Sequence, residues 1–336
     1  MTHPVVSICI ANYNGERLLQ DCLDSVCSQQ GDFELEVLVH DDASTDRSLE
    51  LLRSRYPRVQ RIASTGNVGF CIANNRMVER ARGEYVLLLN NDAALGPGAI
   101  ATLLSAARAL GDCVLTLPQY DWESGELVDR GCLLDPLHTP VPNLDPARVD
   151  VAYVAGACLF TPRALWQRLG GLPAWMESLA EDLHYCCRAR LRGVPVRCVG
   201  GGSYRHRQGA SFGGSRLCEG RLVSRYRRRY LSERNRMAAA LECTPTGVAW
   251  LLFVAQVLLL AVEGLLVCVA GRSTQAWRRI YGPALWHVLG RLGEIRARRR
   301  TTQAMRAVSL RRYFAPFVRH SRKLQMLRRH GWPRLR

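Results

Sequence analysis

Over the first 110 residues, apolar runs alternate with stretches in which apolar positions recur every three or four residues. Residues 5–10 are a near-continuous apolar run, the pattern of a strand covered on both faces. Residues 16–28 then place Leu18, Leu19, Cys22, Leu23 and Val26 at helical spacing. The alternation continues with strands at 35–39, 59–62 and 85–89. Helices are predicted over 49–55 (opened at Ser44 or Thr45), over 71–82, and from Pro97 to about residue 110. Such repeats predict an α/β fold, a mostly parallel sheet with helices on both faces. In these sheets ligands bind beyond the carboxyl ends of the strands. The polar clusters fall there: Asn12-Tyr13-Asn14 after the first strand, Asp41-Asp42 after the second, and Asn90-Asn91-Asp92 after the fourth.

Residues 113–160 are looser and rich in proline, with a strand expected over 151–160. A helix over 182–192 and a strand over 194–199 follow, and Gly200-Gly201-Gly202 then breaks the chain. The texture changes after 215. Residues 221–241 read as an arginine-rich helix, and 248–270 are apolar apart from Gln256, Glu263 and Gly264. That run is long enough to cross a bilayer, although Glu263 within it is costly in lipid. Arginines flank both ends and give no orientation. A spanning helix, an in-plane or re-entrant helix and a buried core helix all remain open. Residues 291–336 are basic with interspersed Leu, Phe and Trp, which suits a membrane surface.

Charge sharpens this division. Residues 1–200 carry 24 acids and 18 bases, net −6, whereas 201–336 carry 5 and 28, net +23. The basic half calls for a polyanion, and its 23-residue apolar run favours anionic lipid over nucleic acid. Lys323 is the single lysine, an arginine bias that reads as a GC-rich bacterial genome. The 13 cysteines form no CxxC pair and read as buried free thiols in a reducing cytoplasm. No signal peptide is visible at the start.

Each polar cluster has a structural and a chemical reading. A helix cap explains Ser44 or Thr45, but not two adjacent acids at a strand end. A carboxylate there can accept hydrogen bonds from a nucleobase or ribose. Asn90-Asn91-Asp92 can form a turn, or offer oxygen donors to a divalent cation that bridges a diphosphate. Glu181-Asp182 complement a helix N-terminus, or supply a general base. His206, between Arg205 and Arg207, can meet phosphate or metal. The segment Gly66-Asn67-Val68-Gly69-Phe70 is not a dinucleotide fingerprint, and no Walker A, HExxH or GxSxG motif is present.

Taken in order, Asn12-Tyr13-Asn14, DDASTD at 41–46, GNVGFCIANN at 66–75, YVLLLNND at 85–92, ED at 181–182 and RHRQGAS at 205–211 resemble the family 2 inverting glycosyltransferases of the GT-A fold. The likeness spans about residues 4–240. Arg234-Asn235 within 232–236 are similar to the tail of the rhamnosyltransferase-like branch. The resemblance implies a nucleoside diphosphate sugar donor, with dTDP-rhamnose favoured over a UDP-hexose. Asp41 and Asp42 would hold base and ribose. Asn12, Asn14, Asn67, Gly69, Asn74, Asn90, Asn91 and His206 would line the donor pocket. Asp92, with help from His206, would touch Mg2+ or Mn2+, and Asp182, beside Glu181, would be the base. The acceptor would be a lipid-linked or cell-envelope glycan at the cytoplasmic face of the inner membrane.

This sequence departs from the family pattern at three places. Asn90 replaces the first acid of DxD, Ala43 the glycine of DDGS, and His184 an acid after ED. No QxxRW is present, which predicts transfer of one or a few sugars. The expected domains are a GT-A domain over 1–215, a helical linker over 216–245 and a membrane-associating tail over 246–336. Rival readings are an inactive GT-A-like scaffold and, lacking the expected lysine-containing loop, a nucleotidyltransferase.

Overall fold

The apolar run at the N-terminus forms strand β1 (Val6–Asn12), whose side chains are almost wholly buried. The computed structural model describes residues 4–209, 216–218, 221–332 and 334–335. It divides into two compact units. The first comprises Met1–Cys132, Pro142–Ser178 and Val194–Ser211, and the second Leu133–Val141, Leu179–Gly193 and Phe212–Arg336.

In the first unit β1 is followed by α1 (Glu16–Cys27), β2 (Leu35–Asp41), α2 (Ser48–Arg55), β3 (Gln60–Ala63), α3 (Phe70–Arg80), β4 (Tyr85–Leu89), β5 (Ala93–Leu95) and α4 (Ala99–Leu110). Short strands β6 (Val114–Thr116), β7 (Gln119–Asp121) and β8 (Leu127–Asp129) come next. After β9 (Cys132–Leu134) and β10 (Pro140–Pro142), the unit continues with β11 (Cys158–Pro162), α5 (Arg163–Leu169), β12 (Val196–Cys198) and β13 (Tyr204–His206). Seven strands form the main sheet in the order β12-β6-β11-β4-β1-β2-β3. Neighbours run parallel, except that β11 runs antiparallel to β4 and β6.

Alternation along β1 sends Val6, Ile8 and Ile10 into the core formed with α1 and α4, while α3 packs over the other face of β1 and β2. A four-stranded sheet, β5-β13-β7-β8, stands beside the main one. Two expectations need correction. The strand expected over 151–160 is confined to 158–162, and the preceding residues make only isolated bridges such as Tyr153 to Cys132. The second helix begins at Ser48, not at Ser44 or Thr45, because Asp46 takes both the backbone and hydroxyl hydrogens of Ser48.

The second unit is largely helical. It contains α6 (Glu181–Leu191), strands β14 (Arg216–Cys218) and β15 (Arg221–Ser224), α7 (Tyr226–Cys243), α8 (Ala249–Ala270) and a π-helical turn over Trp277–Tyr281. Then come α9 (Gly282–Gly290), α10 (Leu292–Ala304), α11 (Leu310–Phe314), α12 (Arg322–His330) and β16 (Arg334–Leu335). The arginine-rich helix expected from 221 begins at 226, since 221–224 pairs as a strand. Arg299 closes the end of α7 by donating to the carbonyls of Leu241, Glu242 and Thr244. These are the acceptors a helix end leaves without partners. Most cysteines whose side chains are described are buried, and none of these is in a disulfide.

Candidate active site

The chain order reverses at β1, with β2 on one side and β4 on the other. Sheets of this kind bind ligands at such a switch point, at the strands' carboxyl ends, and three buried polar side chains meet there. Asn91 donates its amide to the carbonyl oxygen of Asn12 at 2.8 Å, and Asn12 donates its own amide to Asp41 at 2.9 Å. The second oxygen of Asp41 accepts the N–H of Ser44. Gly15 makes this row possible. A Cβ there would lie 2.1 Å from the Asn12 carbonyl oxygen and 2.3 Å from the Asn91 amide.

Two loops are tied to the row. Asn14 accepts from the backbone and hydroxyl of Thr45, and its N–H donates to the Ser44 hydroxyl. Asp42 uses one oxygen for the N–H of Val68 at 2.7 Å and the other for that of Gly69 at 2.8 Å. Asp42 therefore orders the 66–69 loop, leaving only its remaining lone pairs for a ligand. Gly69 has φ 87°, a conformation that favours glycine. Asn67 is exposed on this loop. Asn74 is buried inside α3 and donates to the Phe70 carbonyl, so it braces its own helix.

Beside the row, Asp92 and His206 meet with Oδ1 and Nε2 3.0 Å apart. Residues 205–207 are anchored firmly. Arg207 donates its N–H to the Asp92 carbonyl, pairs with Asp21 at 2.8 Å, and stacks on Trp122 with 3.8 Å to the ring centroid. The Arg207 guanidinium thus fixes this strand end. Ala210 and Ser211 of the same motif lie outside the described residues.

The candidate base is in the second unit, where Glu181 and Asp182 open α6. The chain enters this helix with Leu179 at φ 72° and Ala180 at φ 64°, and Glu177 shortly before has φ 63°. Positive φ is uncommon outside glycine, and clusters of it mark positions held by their surroundings. Asn235 of α7 does some of the holding, donating to the Leu179 carbonyl at 2.8 Å, while Arg234 donates to the Asn235 carbonyl oxygen. The Glu181 carboxyl is buried with Oε2 unpaired. Burial, reinforced by the Asp182 charge, pushes it well above the usual carboxylate range. Asp182 is half-buried and accepts the N–H of Leu183.

Residues 7–149 match the family model described as "Glycosyl transferase family 2". The chain carries a family 2 glycosyltransferase domain. A stretch of 135 residues is 40% identical to the chondroitin synthase of Pasteurella multocida, covering 38% of this chain and 14% of that protein. A stretch of 100 residues is 38% identical to the poly(ribitol-phosphate) beta-glucosyltransferase of Bacillus spizizenii, covering 28% of this chain and 16% of that one. The chain thus spans about one-sixth or less of the length of these relatives. The fold is that of the mannosyltransferase PcManGT from Pyrobaculum calidifontis, solved with GDP-Man and Mn2+. There the TM-score is 0.54 at 20% identity, over 94% of this chain and 86% of that one.

Asp92, within the matched residues 7–149, and His206, beyond them, offer an oxygen and a nitrogen donor that suit a divalent cation. Nδ1 of His206 is buried and has no partner, so the ring is held only through Nε2, which faces Asp92. Among the described residues no group of three or more His, Cys, Asp or Glu could hold a metal. The remaining positions would fall to diphosphate oxygens and water, as is usual for Mg2+.

Motif reading missed Asp129 at the end of β8. Burial raises its carboxyl to about 6, against the lowering effects of the Gly131 N–H and of His206. It also missed the anchoring roles of Arg207 and Asn235. Asp129 lies in no motif, and the other two roles depend on partners far away in sequence.

Proposed function

We propose that this protein transfers a sugar, with inversion, from a nucleoside diphosphate sugar to a cell-envelope glycan acceptor. The observation that carries the reading is the buried row Asn91–Asn12–Asp41 at the switch point, with Asp92 and His206 beside it. The row presents fixed polar groups to a nucleoside. The Asp92–His206 pair is assigned to the diphosphate, and Mg2+ or Mn2+ bound by it would neutralise the charge that builds on the leaving group. The cell-envelope acceptor is supported by the named Bacillus relative. The favoured donor is dTDP-rhamnose, with a UDP-hexose as alternative, on the resemblance of residues 232–236 to that branch.

In the reaction Asp182 takes the proton of an acceptor hydroxyl. The oxygen attacks the anomeric carbon from the face opposite the diphosphate, the bond from that carbon to the diphosphate oxygen breaks, and configuration inverts. Burial, with the Asp182 charge beside it, pushes the Glu181 carboxyl well above the usual carboxylate range, so the proton-accepting role is given to Asp182 and not to Glu181. The absence of QxxRW supports transfer of a single sugar or a few. The basic second unit supports a place at the cytoplasmic face of the inner membrane, near a lipid-linked acceptor.

The test is thermal shift of the purified protein with UDP, dTDP, GDP and CMP, each with and without Mn2+. A metal-dependent shift with one nucleotide is expected and names the base. No shift with any of them overturns the donor site and leaves the inactive-scaffold reading, which Asn90 in place of the first acid favours.

A further inference from the structure

Helix α8 has two unlike faces. Ala249, Phe253, Gln256, Leu260, Gly264 and Val267 are buried, in steps of three and four that make one stripe. Packing along it is close, since a Cβ on Gly264 would come within 2.7 Å of the Tyr281 ring. The other face exposes Leu251, Val254, Leu258, Val262, Leu265 and Val269 over the full length of the helix. A continuous apolar face of this size is rare on a soluble surface.

The polar residues of α8 belong to the protein. Glu263 pairs at 2.6 Å with both Arg229 of α7 and Lys323 of α12, and accepts from the Tyr281 hydroxyl. Lys323 also reaches Glu233 of α7 at 2.8 Å. Gln256 donates to the Leu137 carbonyl. Glu263 lies within about one turn of the helix midpoint. If α8 crossed a bilayer, these partners and the arginine-rich α7 would be carried to the hydrocarbon centre.

The unit's charge complements an anionic surface. Residues 271–336 hold 18 Lys and Arg and a single acid, Glu294, with Arg278, Arg279, Arg291 and Arg300 among the exposed ones. Trp250 and Trp286 are exposed as well, a residue type enriched at the headgroup level. At the start of α8 a cleft of about 220 Å3 is lined by Trp250, Arg296 and Arg300, with Arg296 lying over the Trp250 ring.

We propose that α8 lies in the plane of an anionic phospholipid bilayer, its exposed face sunk below the headgroups, and does not span. The cleft beside Trp250 takes a lipid phosphate. The proposal rests on the membrane-facing part of the preceding reading and not on its transfer chemistry.

The test uses the full chain and phosphatidylcholine vesicles, with and without about one quarter phosphatidylglycerol. Co-flotation only with the anionic vesicles is expected. Leu258→Asp/Val262→Asp is expected to weaken it at least about tenfold, with the circular dichroism and the donor-induced thermal shift unchanged. Should the double aspartate variant misfold, Leu258→Ser/Val262→Ser gives the same reading. Donor binding retained without flotation overturns this proposal alone, while flotation without donor binding overturns only the donor site.

Protease sites inserted after Gly247 and after Arg272 are both expected to be cut from outside in vesicle-bound protein. Protection of one of them shows spanning and overturns the proposal. So does a dimer, seen by light scattering, that the aspartate variant dissociates while lipid is ignored. Free inorganic phosphate that displaces the protein from vesicles assigns the cleft to phosphate recognition. Failure to displace it assigns retention to the apolar face and overturns the cleft assignment.

Discussion

At the ends of β1, β2 and β4, polar side chains are held by hydrogen bonds to residues on adjacent strands and loops. Glu181 and Asp182, by contrast, head a helix entered through two non-glycine residues at positive φ, steadied by a side chain from α7. The first region is preorganised by satisfied pairs, the second by backbone strain under external restraint. The difference suits their proposed tasks. A donor pocket must present fixed dipoles to a polar ligand, whereas a base must hold its carboxylate within reach of an acceptor hydroxyl.

The largest effect is expected from Asp182→Asn. Removing the base should lower turnover by at least about a thousandfold, while the thermal shift produced by nucleotide remains. Wild-type turnover would remove Asp182 from the base role. Asp92→Asn or His206→Ala should act on the other region, with turnover falling about a hundredfold and the Mn2+ dependence of donor binding reduced. A calorimetric titration of Mn2+ in the presence of nucleotide measures this directly. An unchanged Mn2+ response would take the pair out of the metal site.

Asn235→Ala separates strain from structure. Loss of its bond to the Leu179 carbonyl is expected to cost about 1–2 kcal/mol of stability. It should also lower kcat about tenfold with KM unchanged, because the carboxylate is displaced and the donor pocket is not. A fall in stability alone would make Asn235 merely structural.

The two regions were also unequally legible. The donor side follows from pattern, since buried strands read as apolar runs and ligand groups gather where the runs stop. Hence Asn12, Asp41 and Asp92 could be placed by strand ends alone. The function of Asp42 could not, because its partners Val68 and Gly69 lie 26 and 27 residues onward. Glu181-Asp182 could be read as a motif, but not the strain before it, since Leu179 and Ala180 are ordinary residues forced into an unusual conformation. Glu263 looked costly inside an apolar run, and only the fold reveals Arg229 and Lys323 as its partners.

Asp129 sharpens the comparison through pH. Its carboxyl is raised to about 6 in the folded protein, above the ordinary value of about 3.9. The protonated form is the one the fold favours. Its contribution is fully present below about pH 4 and is lost as pH rises through about 6. Asp129→Asn should therefore change little in acid and stabilise the protein by about 1–2 kcal/mol at neutral pH. Chemical denaturation at the two pH values checks the sign.

The smallest effects come from relaxing the backbone itself. Ala43 in the first region and Ala180 in the second share nearly the same strained conformation, with φ 63° and 64°. Left-handed geometry costs a residue with a Cβ about 1 kcal/mol. Glycine removes that strain, but adds unfolded-state entropy of similar size. Both Ala43→Gly and Ala180→Gly are thus expected to shift stability by no more than about 1 kcal/mol. Their activities should differ. The loop around Ala43 is already tied down by Asp41, Ser44 and Asn14, so turnover should stay within about twofold of wild type. The turn at Ala180 immediately precedes the base, and its freedom passes directly to Asp182. A severalfold fall in kcat is expected there, with donor binding intact. Equal activity in the two variants would show that strain in the second region does not position the base.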